Sequence, residues 1–289
     1  MRRRYLTYIL TVIVVVLMAL VAFLLLKGRP SNLSKEKTVL EKTDEEESDQ
    51  KLRIDETVAR ETLMKGLNET IAANQGTTFG IYLYDLNKKA GFGIGETQVL
   101  HTASVSKVLT GVYLLQQVEA GKVRLDQQLG AYNVDFQLQQ LINRSNNDSW
   151  DLLDQLLGYK PQEDYAKGIG LTTFNIDDNL MSPYDAGLLF IKLYQGELLN
   201  DVNTKKLLSY MRNTEAEQYI PKGLPKETSL YHKTGQYEGE AHDVAIVEQK
   251  DNPFVLSIFT SNQINPDYDA RAKVIQKITK EVYNYFNSI

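Results

Sequence analysis

The 289-residue sequence has no cysteine and only three histidines. Without cysteine, the chain can form neither disulfides nor cysteine-based zinc sites. The three histidines form no His-x-x-Glu-His arrangement, so the sequence indicates neither a metal site nor a cofactor. The formal net charge of -5 lacks the positive excess that is typical of nucleic-acid-binding proteins, and we expect no nucleic-acid partner. The chemistry must therefore come from ordinary side chains.

One long apolar run lies near the N-terminus. Arg2–Arg4 precede an uncharged stretch from Tyr5 to Leu26, which as a helix would cover about 33 Å, enough to cross a bilayer. A cleaved signal peptide has a shorter apolar core that ends in small residues, whereas this run ends in Phe23 and three leucines. We therefore expect residues 1–4 to be cytoplasmic and residues 5–26 to form an uncleaved single-pass membrane anchor. A cleaved signal is the alternative. Basic residues on both sides leave the orientation undecided by charge alone.

The remaining chain divides into a linker and a domain. Residues 27–54 are charge-rich with few apolar residues, which predicts a disordered linker. Residues 55–289 have the apolar patterning of a globular domain, with strands near both ends and helices between them. The pattern predicts an α/β (α+β) fold, in which N- and C-terminal helices flank an antiparallel sheet and an all-helical block is inserted. The main predicted elements are a helix over Thr57–Ala73, strands over Thr78–Asp85, Ala90–Ile94, Ser229–Thr234, Ala241–Gln249 and Phe254–Ser261, and a helix over Asp269–Phe286.

A Ser-x-x-Lys sequence, Ser104–Lys107, opens a predicted helix. The apolar residues from Val105 to Leu115 recur at helical spacing, so we expect the helix to run from Val105 onward, with Ser104 at its start. The free N–H groups there favour a developing negative charge, and Lys107 lies one turn away. A buried lysine with a lowered pKa can take the proton of a serine nucleophile. The alternative is an ordinary capped helix with a solvated lysine, because Ser-x-x-Lys also occurs twice in the polar linker region.

Two further short motifs follow in the chain. Ser145-Asn146-Asn147 comes directly after a predicted helix over Val134–Ile142, where a polar loop is the simpler interpretation. Lys233-Thr234-Gly235 lies on a predicted strand, where Gly235 could mark only a close approach of two backbones. Each motif alone is weak evidence, but their order along the chain is specific.

The ordered set resembles the penicillin-recognising serine enzymes, and class A β-lactamases most closely. The likeness covers roughly Thr57 to Phe286 and includes the hairpin before the serine. The second motif, Ser145-Asn146-Asn147, is Ser-x-Asn rather than Tyr-x-Asn, which argues against the class C pattern. The resemblance implies a β-lactam or a peptidoglycan stem peptide as substrate and an extracytoplasmic catalytic domain on the cell membrane.

The resemblance also assigns catalytic roles. Ser104 would be the nucleophile that is acylated, and Lys107 would be the base or the relay that takes its proton. Ser145 would pass a proton to the leaving nitrogen. Asn147 would hold the amide side chain of the substrate.

Substrate binding would fall mainly to the strand motif. Lys233 and Thr234 would bind the substrate carboxylate, next to Gly235. The backbone N–H groups of Ser104 and Gln236 would hold the oxyanion. His242 is the nearest candidate for a second carboxylate contact, because the arginine that class A enzymes often carry on the next strand is not evident.

One departure concerns the deacylating water. Class A β-lactamases activate it with a loop glutamate in Glu-x-x-Leu-Asn, and no such motif lies between Ser145 and Ser182. Asp177 or Asp178 could substitute, but both also fit turn chemistry before the next helix. We therefore expect slow deacylation.

The sequence thus predicts a membrane-anchored serine acyl hydrolase that acts on β-lactams or D-Ala-D-Ala-type amides. A DD-carboxypeptidase or transpeptidase is the alternative within enzymes. A catalytically idle module that binds cell-wall peptides or a partner is the alternative of another class. The sequence leaves the oligomeric state undetermined.

Overall fold

The computed structural model describes residues 15–23 and 56–289, in two compact units that divide after Asp55. In the first unit, residues 15–23 form a helix, α1, whose side chains are exposed. Within the described ranges, no helix combines the length and the apolar character that crossing a membrane requires. The rest of the predicted anchor, residues 5–14 and 24–26, and the predicted linker lie outside the described residues.

The second unit, Glu56–Ile289, is built on a five-stranded antiparallel sheet. The strands are β1 (Thr78–Asp85), β2 (Ala90–Ile94), β7 (Leu230–Tyr237), β8 (Glu240–Val247) and β9 (Phe254–Ser261), in the order β2-β1-β9-β8-β7. Strand β1 pairs along its whole length with β9, from Thr78 opposite Ser261 to Asp85 opposite Phe254. The sheet therefore joins the two ends of the domain, and β7 is one of its edges.

Helices cover both faces of this sheet. Helix α2 (56–72) and the C-terminal α10 (Tyr268–Ser288) cover one face, where Leu67, Ile258 and Ile275 share a buried cluster. The other face packs on α7 (Pro183–Tyr194) and the helical block, where Val112, Leu189 and Phe259 share a second cluster. The alternation of β9 explains this division, since successive side chains of a strand point to opposite faces.

The inserted block contains the remaining helices. Side chains cap several of them, such as Asn133 at α4 and Ser182 at α7, each accepting a hydrogen bond from a first-turn N–H group. Two short pairs, β3 with β6 and β4 with β5, complete the structure of this region. The elements are α3 (Lys107–Glu119), α4 (Val134–Asn143), α5 (Asn147–Leu157), α6 (Tyr159–Gly168), α8 (Asp201–Tyr210) and α9 (Ile220–Gly223), with β3 (Leu100–His101), β4 (Gln128–Leu129), β5 (Tyr132–Asn133) and β6 (Leu180–Met181).

The predicted architecture of the domain is confirmed, with local differences. Strands β1, β2 and β9 have the predicted bounds. The helix expected from Val105 begins at Lys107, and Ser104 lies in the turn that precedes it. The positive φ of 51° at Ala103 is incompatible with a helix, so the chain first closes a tight turn in which Val105 N–H donates to Thr102 O. Helix α6 was not predicted.

Candidate active site

The turn that carries Ser104 is held by one asparagine from a distant loop. Asn179 Oδ1 accepts hydrogen bonds from Thr102 Oγ1 at 2.6 Å and from Ser106 Oγ at 2.7 Å. Its Nδ2 donates to Ala103 O at 2.8 Å, and its backbone O accepts from Thr102 N–H. The pairing of β3 with β6 brings the loop to this position, because β6 starts directly after Asn179. The residues on both sides of Ser104 are therefore fixed.

Three non-glycine residues with left-handed backbone surround the same region. They are Ala103, Ser145 and Asn179, with φ of 51°, 55° and 51°. Such conformations cost free energy and persist only where surrounding contacts enforce them. Here they occur directly before Ser104, at the second motif and at the asparagine that holds the turn. Three of the six non-glycine residues with positive φ among the described residues therefore lie where the predicted site residues meet.

Lys107 is fully buried at the first turn of α3. Its Nζ donates to Ser145 O and to Asn147 Oδ1, both at 2.6 Å, and lies 3.4 Å from Ser145 Oγ. Burial lowers the pKa of Lys107 to about 8, although Asp151 and Asp154 oppose the shift. No hydrogen bond joins Lys107 to Ser104 among the described residues. Burial thus brings the pKa of this amine closer to neutral pH, within a polar cluster to which it donates hydrogen bonds.

Lys233 reaches the same cluster from the sheet. Its Nζ donates to Ser145 Oγ at 2.9 Å and to the carbonyl of Thr234 at 3.0 Å. Burial, together with the like charge of Lys107, lowers the pKa of Lys233 to about 7. Ser145 therefore lies between two ammonium groups, in contact with both. Segments 38 and 88 residues away along the chain converge on this one hydroxyl.

Gly235 lets the edge strand approach the Ser104 turn. A Cβ at this position would lie 2.7 Å from Thr102 O and 3.1 Å from the backbone N of Ser104. Any side chain would therefore push β7 away from the turn. The glycine is required by this close approach of two backbones.

Two backbone N–H groups face the space between β7 and the Ser104 turn. His232 N–H donates to Met211 O, away from β8. Because N–H directions alternate along a strand, the N–H of Gln236 points to the same free edge. The N–H of Ser104 has no partner among the described residues. The resemblance to class A β-lactamases assigns these two N–H groups to the binding of an oxyanion. Thr234 is buried on the same strand, while the Gln236 side chain is exposed and accepts from Tyr219 OH at 2.9 Å.

His242 does not join the site, and this corrects the predicted carboxylate contact. The side chain is fully buried on β8 and stacks on Phe259 with 4.2 Å between ring centroids. Its Nδ1 accepts from Thr260 N–H at 3.0 Å, so Nε2 carries the proton that bonds His101 O at 2.8 Å. Burial lowers the pKa of His242 to about 4, which keeps the ring neutral. Both nitrogens are used, and neither can reach a substrate.

The two candidate carboxylates of the loop, Asp177 and Asp178, are exposed. Asp177 lines a cavity of about 260 Å³ between the loop and helices α3 and α5, together with Asp151 and Asp154. Burial raises the pKa of Asp154 to about 6, against hydrogen bonds from Gln162 and Thr110. No hydrogen bond or ion pair joins Asp177 or the side chain of Asp178 to the lysine cluster in the part of the chain that the structure describes.

Two participants escaped the sequence reasoning. Asn179 was assigned no role from the sequence, because its hydrogen bonds to the Ser104 turn depend on the pairing of β3 with β6, and strands of two residues have no recognisable sequence pattern. His232 was passed over because the motif begins at the next residue. In the structure it is buried between Asp243 and Glu217, with Nδ1 3.0 Å from Asp243 Oδ1 and Nε2 3.2 Å from Glu217 Oε1.

Comparisons with known proteins agree with this architecture. The family model described as "Beta-lactamase enzyme family" matches residues 62–286. The solved structure of PBP-A is 22% identical, with a TM-score of 0.74, covering 79% of this chain and 97% of that chain. A β-lactamase from Xanthomonas campestris is 20% identical, with a TM-score of 0.73, covering 78% and 98%.

Two further structures bear on the same fold. A class A β-lactamase described as the last common ancestor of Gram-negative bacteria is 20% identical, with a TM-score of 0.71, covering 79% of this chain and 99% of that chain. A point variant of PBP-A, with a TM-score of 0.73, was solved as an acyl-enzyme complex with penicillin G. At these identities the likeness shows the fold. None of the curated proteins compared with the chain matches it.

Proposed function

The chain belongs to the beta-lactamase enzyme family, and from that membership we propose that it is a serine acyl hydrolase that is acylated at Ser104. Its substrates would be β-lactams or D-Ala-D-Ala-type peptide amides. The observation that carries the proposal is the convergence on Ser145, whose Oγ accepts from Lys233 Nζ at 2.9 Å while its carbonyl accepts from Lys107 Nζ at 2.6 Å. An idle binding cleft gives no reason to bury two lysines within reach of one hydroxyl.

Acylation proceeds by addition and elimination at the substrate carbonyl. Ser104 Oγ attacks the carbonyl carbon, and its proton passes to the neutral amine of Lys107, directly or through a relay. The N–H groups of Ser104 and Gln236 stabilise the oxyanion that forms. The C–N bond then breaks, and the leaving nitrogen takes the proton of Ser145 Oγ, which the ammonium groups beside it help to replace. The product is an ester on Ser104.

The two lysines must hold different protonation states for this sequence. With the site empty, each lowers the other's tendency to carry a proton, as the effect of Lys107 on Lys233 shows. A substrate carboxylate beside Lys233 favours its charged form. The charged Lys233 in turn favours neutral Lys107, which is the form that can accept the Ser104 proton. An anionic substrate thus favours the neutral form of Lys107, which is the base for its own reaction.

Hydrolysis of the ester would be slow. Deacylation requires a base that deprotonates a water near the ester carbonyl, and Asp177 and Asp178 are the loop candidates carried forward from the sequence. Neither carboxylate forms a hydrogen bond or an ion pair with the lysine cluster in the described part of the chain. The penicillin complex of the PBP-A variant supports acylation chemistry for this fold. A slowly hydrolysed ester also suits transfer to an amine, so a transpeptidase or DD-carboxypeptidase is the second candidate.

The cellular placement belongs to the same proposal. An anchor at residues 5–26 and a linker at residues 27–54 would hold the domain outside the cytoplasm, where cell-wall peptides are found. The support is the apolar run itself, since most of it lies outside the described residues. Protease accessibility of the domain on intact cells, compared with lysed cells, tests this placement.

The direct test of the function is covalent labelling. The purified chain is incubated with penicillin G, and the intact mass and the modified peptide are followed over time. We expect one adduct, located at Ser104, and no adduct in Ser104→Ala. Ser209→Ala, which changes an exposed serine of α8, is the matched control and should label as the wild type. Labelling that survives Ser104→Ala would refute the assignment.

A further inference from the structure

The segment between α8 and α9, residues 211–219, touches both walls of the site. We call it the bridging loop. On one side it is held by the two residues that precede Ser145. Asn143 Nδ2 donates to the carbonyls of Tyr210, Arg212 and Asn213 at 3.1–3.3 Å, and Asn143 O accepts from Glu215 N–H. Arg144 forms an ion pair of 3.0 Å with Glu215.

The other end of the bridging loop is held by the sheet. Met211 O accepts from His232 N–H at 3.0 Å, and Tyr219 OH donates to Gln236 Oε1 at 2.9 Å. Ile220 N–H, directly after the loop, donates to Asp243 Oδ2 at 3.0 Å. The loop therefore connects the turn that carries Ser145 with the strand that carries Lys233. The proposed chemistry needs the contact between these two side chains.

His232 is the centre of the sheet-side attachment. Its side chain is 1% exposed, with Asp243 of β8 against Nδ1 and Glu217 of the bridging loop against Nε2. Thr214 Oγ1 lies 3.1 Å from the same Nε2. An ionised carboxylate only accepts hydrogen bonds, so a carboxylate at each nitrogen requires a proton on each. The geometry alone thus indicates an imidazolium.

The charges around this ring agree with that assignment. Burial by itself would lower the pKa of His232, but Asp243 and Glu217 outweigh it and raise the pKa to about 9. The neighbouring cation is Lys233, on the same strand but directed to the opposite face of the sheet. Asp243 also acts on Lys233, whose pKa it raises against the effect of burial. The positive charge of the imidazolium therefore offsets the negative charge of Asp243, the buried carboxylate that acts on both His232 and Lys233.

We propose that the His232 imidazolium is a positioning residue that locks the bridging loop to β7 and β8 and thereby holds Ser145 and Lys233 in contact. The inference rests on the proposed function for its catalytic consequence, but the lock itself does not. When the ring loses its proton, one nitrogen lone pair faces a carboxylate and the contact with Glu217 weakens. The loop keeps its bonds to Asn143 and Arg144, the hydrogen bonds of Met211 O and Tyr219 OH, and the Arg212–Glu248 ion pair. The sheet-side attachment therefore loosens, and β7 can shift relative to Ser145.

The first test follows the loop and needs no substrate. Hydrogen exchange of the full chain is measured for His232→Gln, with intrinsic exchange rates divided out. Protection of residues 211–219 should fall at least about tenfold, the scale set by losing hydrogen bonds to a charged group. The matched control is His242→Gln, which removes an equally buried but neutral histidine of the neighbouring strand and should leave the bridging loop protected. Unchanged protection in His232→Gln would overturn the proposal.

A pH series separates the lock from a merely structural role. The pKa of His232 rises from 6.5 to about 9 on folding, so the protonated ring stabilises the fold fully below pH 6.5 and loses this contribution as pH rises through about 9. Wild-type loop protection should therefore fall through about pH 9. The double variant His232→Gln/Asp243→Asn, which leaves no unpaired buried charge, should show low protection without this transition. A transition that persists in the double variant would contradict the assignment.

The second test measures acylation of the same variants by penicillin G. His232→Gln and the double variant should be acylated roughly tenfold to a hundredfold more slowly, because small displacements of catalytic groups have effects of this size. Glu217→Ala, which releases the loop without leaving a fully buried charge, should be slowed in the same direction by less. Lost protection with wild-type acylation would show that the lock does not position the site. If penicillin G does not acylate the wild type, the proposed function is refuted. Hydrogen exchange of the bridging loop would still show whether His232 locks the loop to the sheet.

Discussion

The two sides of the candidate cleft differ in how completely they are organised. On the acylation side, Ser104, Lys107, Ser145 and Lys233 are buried or half-buried, and short hydrogen bonds join Lys107 and Lys233 to Ser145. On the loop side, the carboxylates at 177 and 178 are exposed, and no hydrogen bond or ion pair joins them to the cluster within the described residues. The residues proposed for acylation are thus organised by the fold, whereas the loop carboxylates proposed for deacylation are not. The contrast teaches that one half of a two-step reaction can be built on rigid elements while the other half depends on a loop.

Removing the buried amine should have the largest effect on the organised side. Lys107→Ala should slow acylation of Ser104 by about 10²–10⁴-fold, the usual contribution of general acid–base catalysis. At saturating penicillin, the wild-type rate should increase with pH as the neutral form of Lys107 accumulates, with a midpoint below the pKa of about 8 that Lys107 has without substrate, because charged Lys233 favours the neutral amine. The variant should lack this increase. Rates are measured by quenched-flow mass spectrometry, with exposed Lys122→Ala as control. A variant rate within tenfold of the wild type would show that another group is the base.

Moving the strand should have the next largest effect. Gly235→Ala places a Cβ 2.7 Å from Thr102 O, so β7 or the Ser104 turn must shift. We expect acylation to slow by about tenfold or more, consistent with the cost of small displacements at a reacting centre. Gly168→Ala is the matched control, since its added Cβ meets nothing within 4 Å. Equal acylation rates for the two variants would mean that the close approach of β7 is not needed.

Removing the asparagine that holds the turn should weaken both folding and acylation. Asn179→Ala deletes three hydrogen bonds to Thr102, Ala103 and Ser106 and leaves only the longer bonds of the Thr102 and Ser106 hydroxyls to Ala103 O, at 3.3 and 3.5 Å. The free energy of unfolding should fall by about 1–3 kcal/mol, the usual penalty for buried unsatisfied groups. Urea unfolding measures this change, and acylation measures the displacement of Ser104. Exposed Asn68→Ala provides a comparison outside the site. A free energy of unfolding equal to that of the wild type would show that Asn179 does not stabilise the Ser104 turn.

The smallest effect is expected on the loop side. Asp177→Asn and Asp178→Asn should change the rate at which the penicillin label is lost by less than about twofold, because a base contributes much more than this when it acts. In the wild type the label should persist for many minutes. Loss of the label within seconds, or a large slowing in either variant, would show that the loop supplies a deacylating base after all. Acylation rates of both variants, measured in parallel, separate the two steps.

The sequence anticipated much of the fold because the sheet strands carry strong local signals. Phe254–Ser261 is a run of apolar and β-branched residues after a turn, and its bounds were predicted correctly. Helix α6 was missed because Tyr159–Gly168 has few apolar residues and a proline within its first turn. The start of α3 was placed two residues early because apolar spacing continues through the turn at Val105. Periodicity cannot reveal the left-handed residue at position 103.

For the candidate site, order along the chain was more informative than any single motif. The sequence predicts that the three motifs surround the hydroxyl of Ser104, whereas in the structure Lys107 and Lys233 both contact Ser145. The role of Ser104 stays a prediction. His242 was misjudged because a strand histidine has no sequence signal for burial, and its partners, His101 O and Thr260 N–H, come from other segments. Asn179 and His232 act through contacts 76 and 11 residues away, such as Asn179 to Ala103. Long-range contacts of this kind are set by topology.

The pairing of the first strand with the last has a consequence for how the protein is made. Thr78–Asp85 must wait for Phe254–Ser261 before it has a central neighbour, and more than half of the chain is synthesised between them. Contacts so distant in sequence slow folding, since a long loop must close before they form. The domain therefore cannot complete its sheet on the ribosome until Phe254–Ser261 has emerged. Acylation activity should appear late in biogenesis and be absent from any nascent chain that ends before β9.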